Sequence, residues 1–104
     1  MNDKLLSLLG MCRRAGKMEI GFAKSVEAIQ NGKACLVLVA QDVAQRTEKE
    51  VRFKSQERVP VVRIDRSSDE LSHAIGVSAG TIALTDDGFA KQALHLIDDG
   101  GMNL

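Results

Sequence analysis

Cys35-Leu36-Val37-Leu38-Val39-Ala40 is an unbroken apolar run, and its reading decides the fold. It has no polar alternation, so it reads as a strand covered on both faces, as in a parallel sheet. Upstream, Phe22, Val26 and Ile29 recur at i, i+4 and i+7 and predict a helix that stops at Asn31-Gly32. A short extended piece, Met18-Glu19-Ile20, leads into Gly21. Before it, Leu5, Leu8, Leu9 and Cys12 fall at helical spacing and end at Ala15-Gly16, where glycine can take the left-handed cap conformation.

Downstream, Thr47 with Glu50 has the form of a capping box for a third, mostly polar helix that ends before Val59-Pro60. Val51 is that helix's clearest apolar anchor, so the helix should lie on the outside. Val61-Val62-Arg63-Ile64 reads as a strand that Pro60 can open but not interrupt. Ser67 with Glu70 is a second capping box, opening a short helix with Leu71, Ala74 and Ile75 inward and Gly76 at its end. Thr81–Thr85 is a further strand, and Phe89, Ala93, Leu96 and Ile97 line a last helix. Strands alternating with helices imply parallel pairing, right-handed crossovers and helices on both faces. The expected fold class is α/β, a three-layer α/β/α sandwich around a small sheet.

With 104 residues the chain has room for one domain, 1–104, with residues 98–104 (DDGGMNL) as a frayed tail. No apolar run approaches the length of a membrane span. Leu5–Cys12 is broken by Ser7 and Gly10 and has no basic leader, which makes it a poor signal peptide. No membrane partner is expected, and the expected location is the cytoplasm. The two cysteines, Cys12 and Cys35, lack CxxC or Cys/His spacing, so no zinc or other metal is expected. Each sits in an apolar run, where a free thiol behaves as a small buried hydrophobe.

The net charge of zero hides an asymmetry. Residues 1–33 carry six Lys/Arg against three Asp/Glu, 34–64 carry six against four, and 65–104 carry two against seven. If the strands are parallel, their C-terminal ends gather Asp42, Asp65, Asp86 and Asp87. Clustered Asp at such an edge can hold Mg²⁺ for phosphoryl chemistry. Against an enzyme, Asp is a routine helix-start residue. The chain also has no Gly-rich phosphate loop and no GxSxG, and neither His73 nor His95 has a carboxylate or Cys motif around it. No catalytic residue and no cofactor are assigned.

The opposite edge is expected to gather Asn31-Gly32-Lys33, Glu57-Arg58-Val59 and the loop Gly76–Gly80, and the helix start at Gly21 joins it if the strand before it runs antiparallel. Gly21 frees the backbone to approach a ligand. The amides of Phe22, Ala23 and Lys24 are unpaired at a helix start and make a phosphate site. Lys24 and Ser25 add a cation and a hydroxyl, and Lys33 adds charge nearby. Spacing alone leaves open the alternative that Gly21 is only an N-cap and Lys24 a solvated lysine.

The stretch Gly16-Lys17-Met18-Glu19-Ile20-Gly21-Phe22-Ala23-Lys24-Ser25-Val26 resembles the ribosomal protein family of L-seven-Ae and L-thirty-e type. The likeness continues through Gln30-Asn31-Gly32-Lys33-Ala34, Ala40-Gln41-Asp42 and Ser68-Asp69-Glu70-Leu71-Ser72-His73-Ala74-Ile75-Gly76. The ending Thr85-Asp86-Asp87-Gly88-Phe89-Ala90-Lys91 is similar to the bacterial YlxQ-type branch.

This resemblance implies a four-stranded mixed sheet in the sandwich. It also implies non-enzymatic binding of kink-turn or related internal-loop RNA, rRNA or another, with ribosomal or ribonucleoprotein (RNP) proteins as possible neighbours. Carried over by position, Gly21, Phe22, Ala23, Lys24 and Ser25 meet the tandem G·A pairs. Val77, Ser78 and Ala79 cover a looped-out nucleotide. The archaeal pattern is Gly-Thr-Asn-Glu with a Lys two residues on. Here Ala23 and Lys24 replace the Asn and Glu that read guanine, and Glu27 stands in place of the Lys. Ala23 cannot hydrogen-bond a base, and Lys24 donates where Glu accepts. The same departures allow a protein-interaction module of this fold that lacks RNA readout. Phe22 follows Gly21 as an aromatic does in the eukaryotic branch; it could stack on a base, although its apolar stripe favours core packing.

Overall fold

The computed structural model describes residues 3–102. In chain order the elements are α1 (Lys4–Arg14), β1 (Met18–Ile20), α2 (Phe22–Gln30), β2 (Leu36–Val39), α3 (Gln45–Ser55), β3 (Val61–Arg63), α4 (Ser68–Ile75), β4 (Thr81–Leu84) and α5 (Asp87–Met102). The tail expected over 98–104 falls partly outside the described residues; α5 continues to Met102.

All four residues of β2 are fully buried. Side chains alternate across a strand, so each face of β2 needs its own cover. Leu36 and Leu38 join Leu5, Leu8, Leu9 and Cys12 of α1, Leu71 and Ile75 of α4, and Ala90 and Ala93 of α5. Val37 and Val39 join Ala28 and Ile29 of α2 and Val51 of α3. The result is the three-layer α/β/α sandwich, with three helices on one face of the sheet and two on the other.

The sheet has the order β1-β4-β2-β3 and is mixed. β2 and β3 are parallel, whereas β4 runs antiparallel to both of its neighbours. The all-parallel expectation for β2, β3 and β4 is therefore corrected, and the reason lies after α4. Gly76 (φ 83°) reverses the chain in the left-handed conformation. The Ser72 hydroxyl then accepts from the amide of Ala79 at 2.9 Å and donates to its carbonyl at 3.2 Å. Gly80 lies so close to Ser68 that an added Cβ would stand 3.1 Å from its Oγ. The chain has thus come back to the level of the start of α4, and β4 sets out from the end of the sheet that β3 had just reached.

Two rims follow from the strand directions. One, the grip rim, holds Gly21, the β2–α3 loop 40–44, Asp65 and the loop 77–80; there Gly21 N donates to Thr81 O and Ala40 N to Gly80 O, both at 2.8 Å. The far rim holds Lys33, Arg58 and Asp86; there Cys35 N donates to Leu84 O and Val37 N to Pro60 O.

The caps divide. Ser67 and Glu70 form the expected capping box, with bonds of 3.0 and 2.9 Å. The box expected at Thr47 and Glu50 does not form, because α3 begins at Gln45 after Ala44 and has no side-chain cap. What fixes that start is Arg63, which donates to the carbonyls of Gln41 (2.6 Å), Val43 (2.8 Å) and Ala40 (3.2 Å) and pairs with Glu48. The helix ends in two consecutive left-handed residues that are not glycine, Gln56 (φ 50°) and Glu57 (φ 63°).

Gly10 sits in mid-helix, where alanine has the better propensity. A Cβ there would stand 2.9 Å from the Ala74 carbonyl oxygen, so α1 approaches the backbone of α4 only as glycine. Gly10→Ala is therefore expected to lower the unfolding free energy by about 1–3 kcal/mol, as overpacking does. Urea denaturation checks this; a gain in stability would show that the contact yields easily.

Candidate nucleic-acid interface

Gly21 closes β1 and opens α2. Its φ of 99° and ψ of 165° lie where side-chain-bearing residues are strained, yet a Cβ there would meet nothing within 4 Å. The need for glycine is conformational. Its carbonyl accepts from Ser25 N at 3.0 Å, the first bond of the helix. No side chain caps α2, so the amides of Phe22, Ala23 and Lys24 have no intrahelical partner and carry the positive end of the helix dipole.

The residues expected at this start separate by burial. Ala23 and Lys24 are exposed, and Lys24 Nζ lies 3.8 Å from Glu27 Oε1, with both side chains nearly two-thirds exposed. Such a pair is screened and holds Lys24 only loosely. Phe22 is half-buried and packs against the cluster of Ala28, Ile29 and Val37, as its apolar stripe suggested. Ser25 is a correction to the expected phosphate or sugar contact. It is fully buried, and its Oγ has no hydrogen-bond partner among the described residues. The helix turns position 25 toward the sheet, one turn below Gly21.

The second loop shares the grip rim. Ser78 is exposed and Val77 half-buried, but Ala79 is buried with both backbone groups held by Ser72. Only Val77 and Ser78 of this loop offer surface. Lys33 lies beyond the C-terminal end of α2, on the far rim, so the rim assignment placing it with Gly21 is corrected. It lines a shallow depression of about 40 Å³ along α2 together with Glu19, Lys24, Glu27, Ala28 and Asn31.

The antiparallel β4 also divides the acidic residues. Asp42 and Asp65 follow β2 and β3 onto the grip rim, while Asp86 and Asp87 follow β4 to the opposite one. Asp42 accepts from both the amide and the hydroxyl of Ser68 at 2.8 Å, and these bonds hold its carboxyl below the usual range. Asp86 accepts from the amide of Phe89 at 2.9 Å in the first turn of α5. Both carboxylates fasten helix starts. Among the described residues no three His, Cys, Asp or Glu side chains gather in a group that could hold a metal. The gathered acidic edge expected for Mg²⁺ is not assembled.

Arg63 is the residue the sequence reading missed: it stood as one polar position in a strand, and only the fold points it at three carbonyls of the rim. Cys12 is buried and desolvation pushes its thiol up to about 11. Cys35 is half-buried.

The profile of the Ribosomal protein L7Ae/L30e/S12e/Gadd45 family matches residues 3–94. The chain belongs to this family. Within it the chain is of the YlxQ type. It is 35% identical over 97 residues to the RNA-binding protein YlxQ of Enterococcus faecium, covering 92% of this chain and 93% of that one. It is 36% identical over 93 residues to the RNA-binding protein YlxQ of Bacillus subtilis (strain 168), covering 88% and 92%. Among solved structures, a protein of unknown function from Bacillus halodurans C superposes with a TM-score of 0.87 at 33% identity, covering 93% of this chain and 99% of that one. No helix among the described residues is long and apolar enough to cross a membrane.

Two outcomes are expected from this geometry. Ser25→Ala removes an unpaired buried hydroxyl, so the unfolding free energy should hold or rise by up to about 1 kcal/mol. A clear loss in urea denaturation would reveal a partner for that hydroxyl.

The second concerns Glu48, whose carboxyl is held below its usual range, first by the hydrogen bond from Arg52 and then by Arg63, against the opposing effect of burial. A depressed pKa stabilises the fold above the unfolded value of about 4.5. That contribution is lost as pH falls through the lower folded value. Glu48→Gln should therefore lower the urea midpoint at pH 7 and shrink the drop between pH 5 and pH 3. An unchanged drop would mean that Glu48 has no part in the acid sensitivity.

Proposed function

We propose that this chain is a non-enzymatic RNA-binding protein that grips a kink-turn or related internal loop with the rim around Gly21. The carrying observation is one rim that combines an uncapped helix start, the exposed Lys24 and the surface of Val77 and Ser78. The amides of Phe22, Ala23 and Lys24 receive a phosphate at the G·A pairs, and the Lys24 ammonium adds charge. Val77 and Ser78 cover the looped-out nucleotide. Membership of the family and the RNA-binding names of the YlxQ relatives support this reading. In the cytoplasm the RNA would belong to a ribosome or another ribonucleoprotein particle.

Ala23 offers no group to a base edge, so recognition rests on backbone shape rather than on guanine readout. A kink-turn hairpin should therefore bind at least about tenfold tighter than a straight duplex of equal length. Lys24→Glu should weaken the hairpin complex and reduce the salt slope of log K by about 1. Fluorescence anisotropy with end-labelled RNA at two or more salt concentrations reads both. Equal, weak binding to the two RNAs would overturn the proposal in favour of a protein-interaction module.

A further inference from the structure

Phe53 is 77% exposed, the most exposed large apolar side chain among the described residues. It lies in the last turn of α3, a helix whose inward face is Val51 and Ser55. Arg46, Lys49 and Phe53 stand at i, i+3 and i+7 and so form one outward stripe. The two cations are exposed and unengaged. Glu48, which could have neutralised them, is used by Arg52 and Arg63, and no ion pair among the described residues involves Arg46 or Lys49. Glu50 is the one carboxylate flanking the stripe on the helix.

We infer that this stripe is a second RNA contact, which takes an unpaired segment leaving the structured element held at the grip rim. The inference rests on the RNA-binding reading above and extends it. Because α3 begins on the grip rim, Arg46 lies at that end and Phe53 about 10 Å further along the helix. That is the length of about three stacked nucleotides at 3.4 Å each. A base stacks on the Phe53 ring while Lys49 and Arg46 meet the phosphates between it and the rim, the usual pairing of aromatic platform and cations on single strands.

A protein partner fits less well. A helix docked in an apolar groove presents several anchors at i, i+3, i+4 and i+7. On α3 the ring stands alone among charges, and the other exposed large apolar residue among the described residues, Met11, is on α1 across the sheet.

The chain has no Trp or Tyr, so Phe53→Trp places a single emitter in the stripe without disturbing the core. Octauridylate should quench that emission. Arg46→Glu with Lys49→Glu in the same background should weaken the titration about tenfold or more. With the natural Phe53, a kink-turn hairpin carrying eight unpaired uridines at either end should bind about tenfold tighter than the bare hairpin. Phe53→Ala should abolish that gain and leave the bare hairpin's affinity unchanged. No quenching by octauridylate would overturn the inference, as would equal weakening of both hairpins by Phe53→Ala. A dimer in sedimentation that Phe53→Ala dissolves would instead give the ring to a second copy of the chain. The octauridylate arm does not depend on hairpin selectivity, so failure of the kink-turn reading and failure of the stripe are told apart.

Discussion

Every layer of this protein answers to one constraint, the burial of β2 on both faces. Four consecutive side chains, two Leu and two Val, point alternately to opposite sides and none reaches solvent. A sheet with such a strand at its centre cannot leave either face to water. Leu36 and Leu38 therefore require α1, α4 and α5, and Val37 and Val39 require α2 and α3. The contacts that look local elsewhere serve this closure. Gly10 lets α1 sit down on α4, and Val51 is the anchor that ties the otherwise polar α3 to the sheet.

The rim around Gly21 is the product of how the chain re-enters that sheet. After α4 the left-handed turn at Gly76 and the hydroxyl clip of Ser72 on Ala79 send β4 back antiparallel between β1 and β2. This brings loop 77–80 beside Gly21 and moves Asp86 away from Asp42 and Asp65. Arg63 and the Asp42–Ser68 bonds then stiffen the neighbouring loop. A helix start with open amides thus lies in a rim of short connections, two of them pinned by side-chain hydrogen bonds from Arg63 and Ser72. Such preorganisation suits recognition of a folded backbone shape, for which a mobile loop would first have to be ordered. The outward stripe of α3 continues from that rim, so the two proposed contacts lie along one path.

Local signals were legible where the chain alone completes them. The Ser67–Glu70 box forms because both partners lie within one turn and nothing else competes for them. The Thr47–Glu50 pair has the same pattern and does not cap, because Arg63, distant in sequence, takes the loop carbonyls and starts α3 at Gln45. In α2 the apolar stripe correctly placed Phe22 against the core. The same periodicity puts position 25 on that stripe, three residues after Phe22 and four before Ile29, but the hydroxyl reads as a ligand contact at the helix start, whereas Ser25 is wholly buried. Lys33 would lie near Gly21 if β1 ran antiparallel to the strands that follow; β1 in fact opposes only β4 and runs in the direction of β2, which leaves Lys33 at the other end of α2.

By itself the sequence determined the elements, the double burial of β2, the sandwich and the family, since all of these rest on periodicity and ordered motifs within short windows. Tertiary structure alone decided the direction of β4, and with it which loops share a rim, which acids are parted and which site residues reach solvent. Those outcomes depend on one side chain meeting a backbone group many residues away, as Arg63 does at Gln41 and Asp42 at Ser68, and no local pattern records such a meeting.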